Sequence, residues 1–251
     1  MIFVENKMRL FWLLMNSTSL TKQLTLLITI CLFTGCEIPN NGPNPDFTGQ
    51  VGQLTDIEGN VYKTIGIGTQ IWMAQNLSTT RLNDGTLIPQ IKSDSVWNFN
   101  PQIAYCWYNN DSINGRIYGA LYSYYAINSK KLCPVGWHVP EDFEWTILVN
   151  FLGGERKAGG KLKDYNTIYW NSPNICFANS YGFSALPGGI RIRSYIMGRF
   201  DLIGDRGFWW TSTSKKGFRS LSILLYYDNT SIGRSENSYG DGLSVRCVQD
   251  K

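Results

Sequence analysis

One histidine, His138, serves the whole chain, so any mechanism that needs an imidazole base has to run through that ring. No nucleophile and orienting acid can be named beside it. Its place in Gly136-Trp137-His138-Val139-Pro140, at the entrance of an expected helix, gives it a structural role. Charge is scarce too. Removing Lys7, Arg9 and Lys22 against Glu5 with the first 36 residues leaves 20 basic and 18 acidic side chains, a net of +2. Close basic groupings such as Arg191/Arg193 and Lys215/Lys216 are pairs scattered along the chain, which excludes a nucleic-acid footprint. Cysteines at the short spacing of zinc knuckles are missing, and so is any apolar run of the roughly 20 residues that a membrane-crossing helix needs.

What is present begins with an export layout. Positive charge at Lys7, Arg9 and Lys22 precedes an almost wholly apolar run of ten residues, Leu24 to Phe33, followed by the small residues Thr34 and Gly35. Leu32-Phe33-Thr34-Gly35-Cys36 resembles the bacterial lipoprotein signal, with Phe33 where that signal usually has Leu. The resemblance implies cleavage of residues 1–35, lipid attachment at Cys36 and anchoring to the membrane of a bacterial cell envelope. Met15 is an alternative start to Met1, since Met15 to Gly35 alone makes a signal of ordinary length. Residues 36–54, rich in Pro, Gly and Asn near Cys36, read as a tether.

Residues 55–251 read as one domain of α+β class. Turns at Glu58-Gly59-Asn60 and Gly68-Thr69 bracket alternating β-branched and polar residues, a hairpin pattern. Residues 92–114 read as a long loop. One helix is expected over 119–127. A second follows Pro140, with Glu141 and Asp142 in its first turn, Trp145, Leu148, Val149 and Leu152 as its apolar stripe, and Gly153-Gly154 as its stop. Strands are expected at 207–213, 219–227 and 242–249, with Cys247 pointing inward. Of the six cysteines, Cys106, Cys133, Cys176 and Cys247 remain after Cys31 and Cys36, and four allow three pairings.

These segments, among them Gln70-Ile71-Trp72-Met73-Ala74-Gln75-Asn76-Leu77, Cys133-Pro134-Val135-Gly136-Trp137-His138, Trp209-Trp210-Thr211-Ser212-Thr213 and Leu243-Ser244-Val245-Arg246-Cys247-Val248, resemble the Fibrobacter succinogenes major paralogous domain family. That family is common in exported proteins of Bacteroidetes and Fibrobacteres. The resemblance implies a C-type-lectin-like fold, related to that of formylglycine-generating enzyme, with short twisted antiparallel sheets and two flanking helices. It also implies a Cys133–Cys247 disulfide. The second cysteine that some members carry shortly after Cys106 is replaced by Asn114-Gly115, which leaves Cys106 and Cys176 as buried thiols or an idiosyncratic pair.

Neither Trp97-Asn98 nor Trp170-Asn171 is followed by the Asp of a calcium-dependent lectin site, and Asp201, Asp205 and Asp228 stand apart in sequence as solvated turn residues. The chain therefore implies no metal, cofactor or catalytic residue. Trp209 and Trp210 fall on opposite faces of a strand, so one of them, with Tyr226 or Tyr239, is a candidate stacking platform for a ligand. The expectation is a non-catalytic binding or adhesion module that recognises a glycan or a protein. The alternatives are an enzyme acting on envelope or sulfated substrates, and a structural lipoprotein.

Overall fold

The computed structural model describes residues 49–99, 102–166, 168–173, 178–194 and 199–250. Cys36 and Cys176 therefore lie outside the described residues, together with the signal and most of the tether. Strands β2 (Val61–Ile67) and β3 (Gln70–Met73) form the expected hairpin, turning at Gly68, and β1 (Val51–Thr55) joins it as a third antiparallel strand through the turn at Gly59. The domain thus starts inside the expected tether. Val51 to Leu54 is recruited by register with β2, and Leu54 carries the buried side chain that fixes that register.

The elements that follow are α1 (Asp94–Phe99), β4 (Tyr105–Cys106), α2 (Ser112–Tyr118), β5 (Leu121–Ser123), α3 (Tyr124–Asn128) and β6 (Trp137–His138). Then come α4 (Asp142–Phe151), α5 (Glu155–Leu162), β7 (Gly188–Ile192), β8 (Arg199–Ile203), β9 (Arg206–Lys215), β10 (Arg219–Tyr226), β11 (Ile232–Ser238), β12 (Gly242–Leu243) and β13 (Val248–Gln249). One sheet runs β1-β2-β3-β13-β6 and the other β11-β10-β9-β7-β12-β5-β4, with β8 beside β7. Pairing is antiparallel except where β7 meets β9. Residues 43–251 make one compact unit.

Helix α4 forms where its sequence places it. The Glu144 side chain accepts the Glu141 backbone N–H at 2.9 Å, one half of a capping box. Trp145, Leu148, Val149 and Leu152 are each at most 2% exposed, and each such burial is worth about 1.5–3 kcal/mol. Gly153 and Gly154, both left-handed, end it.

Three expectations are corrected. The helix over 119–127 gives way to β5 before α3 begins, because Leu121, Tyr122 and Ser123 are all buried between β4 and β12. The loop over 92–114 contains α1, β4 and the start of α2. Trp97 organises its first part, with its ring 5% exposed and its indole N–H donating to Gly240 O at 2.8 Å. The strand over 242–249 divides into β12 and β13. Between them Ser244, Val245, Arg246 and Cys247 are at most 1% exposed, so both faces of this segment are buried and not one.

Cys133, ahead of β6 and α4, is bonded to Cys247, as the family resemblance implied. The bond spans 114 residues of sequence, and closing a loop of that length in the unfolded chain corresponds to about 4–5 kcal/mol in the chain-entropy model, an upper figure. Replacing both cysteines by Ala is expected to lower the unfolding free energy by about 2–4 kcal/mol. Chemical denaturation of the oxidised parent and the variant measures the difference, and coincident curves would remove the bond from the stability of this domain.

Candidate functional site

An open cleft of about 1140 Å³ lies between the first hairpin and α2. One wall is the strand pair carrying Val51, Val61 and Lys63, and the other is α2, carrying Arg116 and Ile117. Tyr165 and Tyr169 close one end. Trp107 lies flat on α2 because residue 115 is glycine: a Cβ there would sit 2.5 Å from the indole. Asp111 caps α2 by accepting the Ile113 N–H at 2.8 Å.

The floor is a buried polar junction. Asn76 Oδ1 accepts from Trp209 Nε1 and from Arg246 Nε, each at 2.9 Å, while Asn76 Nδ2 donates to Tyr118 O at 2.7 Å. Arg246 is 1% exposed and also donates to Phe183 O and Ser184 O. Its guanidinium lies over the Phe183 ring at 4.2 Å. Burial lowers its pKa, yet a guanidinium stays protonated in proteins, so the floor holds a fixed positive charge neutralised by carbonyl and amide dipoles. Glu58, at the rim, is engaged by Thr79 Oγ1 at 2.9 Å and Thr80 Oγ1 at 2.6 Å. Burial pushes its carboxyl up, but the donors Thr80 and Thr79 and the charge of Arg81 outweigh that and hold it low.

Apolar side chains stand open at the mouth. Val51 is 71% exposed, Val61 55%, Tyr165 67% and Ile117 38%. Beneath them the floor's hydrogen-bonding groups are held rigid by the protein itself. Such an arrangement can grip a ligand that has apolar faces and hydroxyl-rich edges.

The expected platform residues lie outside the cleft lining, and the two tryptophans are not presented. Trp209 and Trp210 do point to opposite faces of β9, but both faces are covered, and the rings are 1% and 0% exposed. Trp209 packs near Trp145, at 6.5 Å, and Trp210 against Tyr124, at 5.2 Å, with its N–H donating to Tyr122 O at 2.7 Å. The exposed-tryptophan platform is thereby corrected. Tyr226 lies under the Arg206 guanidinium and Tyr239 stacks on Tyr124 at 4.3 Å. The cleft aromatics Trp107, Tyr165 and Tyr169 were not singled out by sequence; the glycine at 115, which makes room for the indole, was a signal that could have found one of them.

Asp201 pairs with Arg199, Asp205 accepts from Asn171, and Asp228 from Asn229. Among the described residues no group of three or more His, Cys, Asp or Glu side chains is arranged to hold a metal ion. Cys106 is a free, buried thiol, and burial pushes it up to about 12. Cys176 lies outside the described residues. Among the described residues no helix is long and apolar enough to cross a membrane.

A disulfide-closed α+β domain with an open, aromatic-rimmed cleft is the class these features define. The model of the Fibrobacter succinogenes major domain matches residues 65–249, and the chain belongs to that family. The match begins inside β2, so Val51 and Val61 of the cleft wall precede it. No curated protein and no solved structure matches the chain.

His138 is a clamp between two segments. Its Nδ1 lies 2.6 Å from Asp250 and its Nε2 2.9 Å from Glu144, so a doubly protonated ring ties the C-terminal strand to the first turn of α4. The Glu144 hydrogen bond raises its pKa most, against burial and with help from Asp250, to about 9. A histidine raised in this sense stabilises fully below its unfolded pKa of about 6.5 and loses that contribution as pH rises through about 9. Because the ring and Asp250 are well exposed, solvent reduces the effect. The thermal midpoint of His138→Gln should fall below that of the parent by the largest margin near about pH 6, and the margin should close above about pH 9. A margin independent of pH would assign the loss to packing.

Proposed function

We propose that this chain is a non-catalytic binding module, held on the bacterial cell envelope by lipid on Cys36, and that its cleft takes a glycan. The cleft carries this reading. At about 1140 Å³ it exceeds the roughly 300–1,000 Å³ typical of small-ligand pockets, which leaves room for several linked sugar units. Pyranose rings offer apolar C–H faces to Trp107 and Tyr165, while their hydroxyl edges meet Gln75, Ser78 and the basic side chains of Lys63 and Arg116. The aromatic groups have two side-chain torsions each, so ordering them on a ligand costs little entropy.

The anchor rests on the ten-residue apolar run Leu24–Phe33, the small residues before Cys36, and the Pro- and Asn-rich segment between Cys36 and the domain. Two or more acyl chains give the stable attachment that one chain does not. The tether then lets the cleft stand clear of the lipid surface.

On an array of polysaccharides, the full chain is expected to be retained by a subset of glycans. Tyr165→Ala, at an exposed position, and Trp107→Ala should each weaken retention about tenfold, the loss of one stacked ring. Retention by no glycan, or retention indifferent to both variants, sinks the reading. For the anchor, a mass spectrum of the protein isolated from bacterial membranes should give a mature N-terminus at Cys36 with the added mass of its acyl groups. An unmodified Cys36 overturns the attachment while leaving the cleft untouched.

A further inference from the structure

The turn joining β9 to β10 carries a bulky side chain where the backbone does not favour one. Lys215 pairs with Arg219 across the ladder, so Lys216, Gly217 and Phe218 make a three-residue loop. Gly217 and Phe218 both have left-handed backbone, with φ of +75° and +59°. Glycine adopts that conformation freely, whereas the Cβ of Phe218 crowds the neighbouring carbonyl. Burial does not compensate: the ring is 74% exposed and makes an edge contact with Tyr239 at 6.0 Å. Strain kept without a packing gain points to a use for the side chain outside the domain.

The exposed charge flanking the ring is positive. Lys215, Lys216 and Arg219 are exposed, and the buried carboxylate of Asp241 is near enough to feel Arg219 but leaves the two lysines unopposed. We propose that this hairpin tip is a contact for an anionic phospholipid surface, in which the Phe218 ring enters the boundary between headgroups and acyl chains while Lys215 and Lys216 lie against lipid phosphates. Lysine stems run along an apolar boundary with their ammonium groups in the headgroup layer, which suits residues flanking an inserted ring. A protein hot spot would seat such a ring in a desolvated pocket, and single-stranded nucleic acid would need a cationic groove with several stacking rings. A single ring flanked by cations on an exposed turn meets neither need, and a fluid lipid surface demands no shape match.

The test is hydrogen exchange, read by mass spectrometry over residues 214–220, of the full chain bound to vesicles of phosphatidylcholine alone or mixed with phosphatidylglycerol. The anionic vesicles should slow exchange of these amides roughly fivefold or more, and added salt should reverse the effect. Phe218→Gly relieves the backbone strain, so it should keep or raise the thermal midpoint while losing the protection. The double variant Lys215→Glu, Lys216→Glu should lose it as well. Equal exchange on the two lipids, or protection that survives either variant, overturns the proposal. So does a lowered midpoint in Phe218→Gly, which would make the ring a packing element.

Discussion

The rest of the domain depends on one buried cation. Moving a charge out of water costs several kcal/mol unless it is thoroughly hydrogen-bonded, and Arg246 is 1% exposed with carbonyl and amide oxygens as its bonded acceptors. Its acceptors come from two distant stretches of chain, Asn76 after β3 and the Phe183-Ser184 loop. Each must be in place before the guanidinium can be buried. Asn76 in turn fixes the C-terminal end of α2 through Tyr118 O and the core through Trp209. Next to Arg246 in sequence, Cys247 is tied to Cys133. The cleft floor is therefore rigid because folding already requires it to be assembled, and a ligand would meet groups that need no further ordering.

The same device recurs in two other places. Arg191, fully buried, donates to Ile91 O and Lys92 O and pairs with Asp94, while its guanidinium lies between the Trp97 and Phe200 rings at 4.4 and 4.9 Å. Lys163 donates to the carbonyls of Tyr226, Tyr227 and Asn229 and sits over Trp170 at 5.4 Å. Long irregular segments have few ladder partners for their carbonyls, and a cation satisfies two or three at once. The electrostatic consequence differs between sites. Burial lowers the Lys163 ammonium to about 8, so the unfolded chain holds its proton more tightly and this group favours folding more as pH rises from about 8 to about 10. His138 acts in the opposite sense over a lower and partly overlapping range, because its partners are carboxylates and not carbonyls.

What could be read from the sequence was whatever local chemistry decides. The β2–β3 hairpin follows from its turn glycines, and α4 from Glu141, its apolar stripe and Gly153-Gly154. What could not be read was decided by distant contacts. Helix α5 contains Gly159-Gly160, poor helix formers, yet a Cβ at Gly159 would meet Ser231 O at 2.4 Å, so the glycine is demanded by the approach of the turn before β11. Period-two alternation placed Trp209 and Trp210 on opposite faces correctly. It could not reveal that α4 and α3 cover both of those faces, since alternation says nothing about what lies above a sheet. The cleft escaped for a related reason: its residues come from β1, β2, α2 and the positions Asp164, Tyr165 and Tyr169, and no single window of sequence holds two of its walls.

Exposed apolar side chains scattered singly are ordinary on a protein surface. Those at the cleft mouth are not scattered, since Val51, Val61, Ile117 and Tyr165 line one concavity from three separate parts of the chain. Burial alone does not explain them, because side chains 38–71% exposed keep much of their apolar surface in water, and polar residues would serve solubility better. The interior points the other way, with three cations hydrogen-bonded to carbonyl or amide oxygens and the N–H groups of Trp97, Trp170, Trp209 and Trp210 all engaged below the surface. Charge buried at a cost beneath a rigid concavity that is rimmed by open apolar groups supports the proposal that the concavity takes a ligand.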